Sequence, residues 1–299
     1  MGILVIGSVA FDSVETPHGR RREVLGGSAV FFSLSARFFN AVDIVACVGE
    51  DFPKEIIRML KARGVGTSGL ETLNGKTFRW EARYSQDMNQ AHTLATHLNV
   101  FKDFVPKIPE RLRSSRHLFL ANIDPDLQGD VLRQAGKAEF VGCDTMNHWI
   151  NEKPDALKKL IKKVDMLFVN DNEARQLSGE SNLVKAAGAI IAMGPGIIVI
   201  KKGEHGVMLH SKNVTFAAPA YPLEEVKDPT GAGDSFAGAT MGFLSRVNRI
   251  NASALRRAVI YGTITASFTV EDFSVNRLLR LKRRDIESRF RTFRSLTRF

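Results

Sequence analysis

Apolar and polar residues alternate along this chain in two recognisable patterns. Short apolar runs, "ILVIGSV" at the start and then "DIVACVG", "HLFLANI", "AEFVGCDT", "DMLFVND" and "GIIVIKKG", read as buried strands of a parallel sheet. Between them lie stretches with helical spacing. "PKEIIRMLKARGV" opens on proline and closes on glycine, and "PDALKKLIKKV" and "NLVKAAGAIIAMG" repeat the helical pattern. "SAVFFSLSARFF" is apolar on nearly every face and predicts a buried helix, reached through a polar loop after the first strand. Strand and helix in alternation predict an α/β fold, a doubly wound and mostly parallel sheet flanked by helices. Its ligand crevice then lies at the carboxyl ends of the strands.

One region breaks the rhythm. "KTFRWEARY" (Lys76–Tyr84) alternates with period two and "HTLATHLNVF" partly follows, which predicts lid strands of a small second sheet around 72–100. Phe78 and Trp80 share one face of the first strand, with Arg79 and Glu81 on the other. One face is a candidate to cover a substrate. The other meets solvent or a second subunit, so a homodimer through the lid strands is an expectation.

A length of 299 residues suits one such domain over 1–299, and no internal repeat or low-complexity linker divides it. No apolar run approaches the roughly 20 residues of a membrane helix. The start "MGILVIGSVAFD" reads as a strand rather than a signal peptide. Cys47 and Cys143, each in an apolar context, give no disulfide framework, and the cytoplasm is the expected location. The net charge of +10 invites a nucleic-acid reading, but its distribution argues otherwise. Arg277 to Arg298 carries eight arginines and one lysine against Asp285 and Glu287, so most of the excess sits at this end. Ile286, Phe290, Phe293 and Leu296 give that segment an apolar stripe, predicting a basic C-terminal helix over 281–299 packed on the body. No nucleic-acid or membrane partner is expected.

The chemistry concentrates in "DPTGAGDSFAG", Asp228 to Gly238. "NGKT" at Asn74–Thr77 resembles the end of a P-loop, but Leu70 stands where that pattern needs glycine, and a strand pattern follows instead of a helix. "TGAGD" at Thr230–Asp234 has the opposite context, extended chain before and an apolar helical run after. Gly231 and Gly233 remove side chains, so amides of a first helical turn can approach an anion, aided by the helix dipole and without any lysine. A simple cap by Asp234 or Ser235 is the alternative. A carboxylate beside an anion site makes sense as the acceptor of a proton from a hydroxyl that attacks phosphorus.

The whole segment "DPTGAGDSFAGATMGFL" closely resembles the C-terminal signature of the PfkB carbohydrate kinases, the ribokinase-like fold that includes nucleoside kinases. Weaker matches follow in the right order over nearly the whole chain: "GSVAFD", "GGSA" at Gly26–Ala29, "VGEDF" at Val48–Phe52, "NDNE" at Asn170–Glu173 and "KKGEHG" at Lys201–Gly206. The resemblance implies ATP and Mg²⁺ as cofactors. It implies an anion hole at Gly231, Ala232 and Gly233, with Thr230 beside it, and Asp234 as catalytic base. Asp12 with Gly26 and Gly27 would hold the acceptor. Asn170 and Glu173 would place Mg²⁺ and phosphate through water, although they equally suit an N-cap and capping box. Lys201 and Gly203 would border the nucleotide, and Asp228 would frame a monovalent-cation site for K⁺.

The expected activity is therefore transfer of the γ-phosphate of ATP to a hydroxymethyl group of a sugar, or alternatively of a nucleoside. A non-catalytic sugar- or nucleotide-binding protein on the same fold is the third reading. A dinucleotide-dependent dehydrogenase is disfavoured, because "GSVAFD" lacks the glycine fingerprint. One departure bears on the substrate: where sugar kinases of this family carry asparagine after the double glycine, this chain has Phe31 and Phe32. They suit a partly apolar ligand such as a nucleoside or a bulkier sugar derivative, or are core residues of a buried helix. Asn122, with Asp124, Asp144 and Asn147, falls at strand ends where ligands bind.

Overall fold

Thirteen strands form two sheets in this computed structural model, which describes residues 2–298. In chain order they are β1 (Ile3–Ile6), β2 (Ala10–Thr16), β3 (Gly19–Gly26), β4 (Val42–Gly49), β5 (Val65–Leu73), β6 (Phe78–Tyr84) and β7 (Ala91–His97). Then come β8 (His117–Leu120), β9 (Phe140–Asp144), β10 (Met166–Asn170), β11 (Ile197–Lys201), β12 (Val207–Ser211) and β13 (Val214–Ala218). The large sheet runs β13-β12-β11-β10-β9-β8-β1-β4-β5, with only β12 reversed, so that it pairs antiparallel with both β11 and β13. Strand order reverses at β1, flanked by β4 and β8, which puts the ligand crevice beyond its carboxyl end. One apolar cluster covers each face of this sheet, which is why its central strands are apolar throughout.

The small sheet has the order β3-β2-β6-β7. Residues 10–26, read from sequence as a polar loop, are in fact the β2–β3 hairpin of this lid. Arginines at Arg20, Arg21 and Arg22 lie exposed along β3 and hid its alternation. β2 continues directly from β1, so the lid grows out of the end of the switch strand. Asp51 of the "VGEDF" segment anchors the start of β6. Its carboxylate accepts from Thr77 N and Oγ1, both at 2.7 Å, and pairs with Arg79 at 2.9 Å. Arg79 also pairs with Glu23, so that face of β6 is tied to neighbouring chain. Of "HTLATHLNVF" only residues 92–97 are strand, within β7; Asn99–Asp103 is a 3-10 turn.

All nine residues of the helix Ser28–Ala36 are buried. The helix Ala232–Leu244 lies on it backbone to backbone, because a Cβ at Gly238 would stand 2.2 Å from the carbonyl oxygen of Phe32. The extended chain before "TGAGD" is a loop, 219–231, rather than a strand, β13 having ended at Ala218. At the C-terminal end a helix spans Arg283–Leu296. Ile286 and Phe293 are buried in the main core and Phe290 stacks on Tyr261 at 4.7 Å, whereas Leu296 is exposed. Met1 and Phe299 lie outside the described residues. No helix among those described is long and apolar enough to cross a membrane.

Candidate active site

The candidate acceptor end lies where β1 passes into the lid. Ser8 and Ser28 bond to each other's backbone N–H, at 3.0 and 3.1 Å, and pin the start of the buried helix to the end of β1. Asp12 is buried against the double glycine: a Cβ at Gly26 would lie 1.8 Å from its Oδ2, so no other residue fits there. Gly27 has φ of 97° and donates its amide to the Asp12 carboxyl. Burial first, then Asp228 and Asp234, push the pKa of Asp12 up to about 8. In the parallel pairing of β2 and β6, Asp12 stands opposite Trp80. Neighbours in register share a face, so the carboxyl and the half-buried indole sit side by side. Trp80 Nε1 donates to Thr93 at 3.2 Å. Phe78 is one strand pair away and stacks on Phe101.

The candidate phosphate end is the start of the helix Ala232–Leu244. Gly231 has φ of 75°, and a Cβ there would lie 2.3 Å from the Phe31 ring. Phe31 thus supports the loop from beneath. Phe32 stacks on Phe119 at 4.3 Å, so both phenylalanines are core residues, as one of the two expectations had it. The helix has no side-chain cap, and the amides of Gly231, Gly233 and Asp234 have no hydrogen-bond partner among the described residues. Ala232 N–H bonds back to Pro229. Three unpartnered donors therefore stand at this helix N-terminus, where the anion seat is expected.

The expectation that this seat works without lysine is wrong. Gly233 leaves room for the Lys201 ammonium, whose Nζ lies 3.1 Å from where a glycine Cβ would stand. Lys201 reaches over from the end of β11 and is held by Asp144 at 2.9 Å. Burial disfavours its charge, but Asp144 and Glu173 outweigh burial and raise its pKa, so it stays an ammonium. Asp234 projects from the first turn into the same space, where burial and then Asp144 push its pKa up to about 7 against the pull of Lys201. Glu173 is shifted to about 7, again chiefly by burial. Asn170 and Glu173 form the capping box: Glu173 N donates to Asn170 Oδ1 at 2.8 Å, and Asn170 N to Glu173 Oε2 at 2.7 Å. The Lys201 ammonium is close enough to Glu173 for each charge to favour the other. Gly203 (φ 53°) opens the turn after β11, against Asn89 of the lid.

Asp228 braces the loop between the two ends. It is buried, and its oxygens accept Thr230 N at 2.9 Å and Ser274 N at 3.1 Å. Ser274 Oγ in turn donates to the carbonyl of Leu25, next to the double glycine. Thr230 Oγ1 donates to the Tyr84 hydroxyl at 3.2 Å. Other strand-end candidates are spent on structure. Asn122 accepts from Trp149 Nε1 at 2.9 Å, and Asp124 caps the helix Pro125–Gln134 and pairs with Lys153 at 2.7 Å. Asn147 bonds the next amide. Asp144, by contrast, joins the phosphate end.

The family model of the pfkB carbohydrate kinases matches residues 3–280. The chain belongs to the PfkB family. A cytidine kinase of Thermococcus kodakarensis is 32% identical over 83% of this chain and 89% of its own length. A nucleoside kinase of Methanothermobacter thermautotrophicus is 27% identical over 90% of this chain and 89% of its own. Among solved structures, a Burkholderia thailandensis nucleoside kinase in complex with inosine superposes with a TM-score of 0.78 at 20% identity, covering 97% of this chain and 98% of that one. A ribokinase-II-type protein of E. coli with ATP and Mg²⁺ gives 0.79 at 20% identity, covering 97% and 99%. As a PfkB kinase the protein is a phosphotransferase with an alcohol group as acceptor, which sets the non-catalytic reading aside.

Sequence reasoning missed three parts of this PfkB site. Lys201 was expected at the nucleotide but not over Gly233. Asp144 was placed only at a strand end, and the role of Tyr84 went unread. A lysine closing one strand and an aspartate closing another were the available signals, yet nothing local says that their tips converge.

Proposed function

We propose that this PfkB kinase phosphorylates the hydroxymethyl group of a nucleoside, with ATP and Mg²⁺. The observation that carries the reading is the Asp12–Trp80 pair, a carboxyl for ribose hydroxyls beside an aromatic face for a base. The two relatives named as cytidine and nucleoside kinases support it. Asp12 near neutral pH holds its proton in the free site and so both donates to and accepts from sugar hydroxyls. Asp234 takes the proton of the attacking hydroxyl, and its pKa near 7 suits a general base. The amides of Gly231 and Gly233 and the Lys201 ammonium spread the charge that develops on the transferring phosphoryl group.

The phosphate end sets three carboxylates, Asp144, Glu173 and Asp234, around one ammonium, and two of them are pushed toward protonation. A divalent cation with bound phosphates fits this shortage of positive charge. Among the described residues no cluster of carboxylates and imidazoles is arranged to hold a metal by itself, so Glu173 and Asp144 would reach it through water. When bound, Mg²⁺ supplies positive charge to the phosphate oxygens. Asp228 would frame the monovalent cation expected there with the lone pairs left on its two oxygens, each of which accepts one backbone N–H group. A homodimer through the lid remains part of the proposal, supported by the open edge of β7 and the exposed Leu94. A single-chain mass in sedimentation equilibrium contradicts it.

The test is a coupled ADP-release assay with purified protein against nucleosides, pentoses and hexoses. The proposal expects turnover with at least one nucleoside, with an efficiency (kcat/KM) at least tenfold above that for any free sugar. A free sugar as the better substrate overturns it.

A further inference from the structure

The lid is fastened to the phosphate end by its own strands, and one fastening is a side chain that packing alone does not require. Tyr84 closes β6 on the face that also carries Trp80, and it is buried. Its hydroxyl meets Thr230 Oγ1 at 3.2 Å, in the loop that leads into the anion seat. Phenylalanine would fill the same space without burying a polar group, and a buried hydroxyl is tolerated when it has a partner. That partner is Thr230, itself buried and immediately before Gly231. Burial raises the phenol's pKa, and Asp228, Asp12 and Asp234 all add to the rise, so the hydroxyl lies among the carboxyls of both ends of the site.

Two further ties run the same way. Thr16, closing the strand that carries Asp12, donates to the carbonyl of Lys227 at 2.8 Å. Asn89 at the tip of the β6–β7 hairpin donates to Glu204, in the turn after β11, at 3.3 Å. The lid thus grips the 227–230 loop from the ends of β2 and β6 and touches the turn beyond Lys201.

We propose that Tyr84 is a positioning residue that couples the lid to phosphoryl transfer: through Thr230 it holds the anion-seat loop in place when the lid covers the acceptor. This rests on the kinase reading of the site and adds to it a reason for the order of events. An acceptor held by Asp12 and Trp80 seats the lid, and the seated lid sets the Gly231–Gly233 amides. Water entering without an acceptor finds the loop unset, which limits futile ATP hydrolysis.

The experiment compares wild type with Tyr84→Phe, Thr230→Val and the double variant, using the best acceptor from the substrate panel. Tyr84→Phe is expected to lower kcat about 10-fold while acceptor KM stays within threefold, and to raise the ratio of ATP hydrolysed to acceptor phosphorylated. Thr230→Val should act alike, and the double variant should be no worse than the stronger single one, as for two ends of one contact. A kcat within twofold of wild type overturns the proposal. So does a raised KM at unchanged kcat, which makes Tyr84 a wall of the acceptor pocket, and so do additive losses. A thermal melt lowered in step with kcat, with unchanged coupling ratio, also overturns it by making the role structural. A wild-type enzyme active on a free sugar but inert to nucleosides sinks the nucleoside reading alone, and the Tyr84 comparison then runs with that sugar.

Discussion

Asp12→Asn removes a buried ionisable group while keeping the side chain's shape. Burial, with Asp228 and Asp234 adding, raises this carboxyl from 3.8 to about 8 in the folded chain. Between about pH 4 and pH 8 the folded protein therefore keeps a proton that the unfolded chain has lost. A raised folded pKa means stability present at low pH and lost as pH rises through that window. At 1.36 kcal/mol per pKa unit the loss amounts to about 4 kcal/mol by pH 7 and about 2 kcal/mol by pH 5. Asparagine has no charge to ionise, so the variant escapes the loss. For a chain of this size about 2 °C of Tm accompanies each kcal/mol. The expectation is a variant roughly 4–8 °C more stable than wild type at pH 7 and roughly 2–3 °C more stable at pH 5, without ligands, and inactive as a kinase. Thermal melts at the two pH values decide it. A variant less stable than wild type at both, or a gap that does not change with pH, refutes the electrostatic account of the acceptor end.

Lys201→Met should lower kcat about 10²-fold by removing charge from the transferring phosphoryl group. It should also destabilise the fold by about 3 kcal/mol, because Asp144 is left buried and unpaired. Adding Asp144→Asn should recover most of the stability in urea unfolding and none of the turnover; recovered turnover contradicts the role. Gly231→Ala forces a side chain into the left-handed region and against Phe31, and should cost about 2 kcal/mol or more in the same unfolding assay. Unchanged stability would show that the ring does not support the loop. The kcat/KM for the acceptor should rise with pH and level off above about 7, as Asp234 loses its proton. A profile flat from pH 5 to pH 8 removes Asp234 from the role of base.

The central strands were legible because they are buried on both faces and leave uninterrupted apolar runs, as "DMLFVND" does for β10. The first half of the lid was not. β3 carries its arginines on exposed positions and buries only Leu25 and Gly26, so its sequence resembles a loop. The anion seat could be read from glycines and aspartate at a helix start, since free amides there are a local property of the chain. What those glycines make room for could not. Gly231 accommodates the Phe31 ring and Gly233 the Lys201 ammonium, both contacts between segments distant in sequence. Asn170 and Glu173 show the limit from the other side: the capping box is real, and the same Glu173 carboxyl also feels the charge of Lys201.

The account stands most directly on Asp234, and the decisive measurement is acceptor phosphorylation by Asp234→Asn. The variant keeps the shape of the first helical turn and the free amides, so ATP binding by thermal shift should persist while kcat falls roughly 10²–10⁴-fold. Turnover within a few-fold of wild type would contradict the central claim that this carboxylate takes the proton of the attacking hydroxyl.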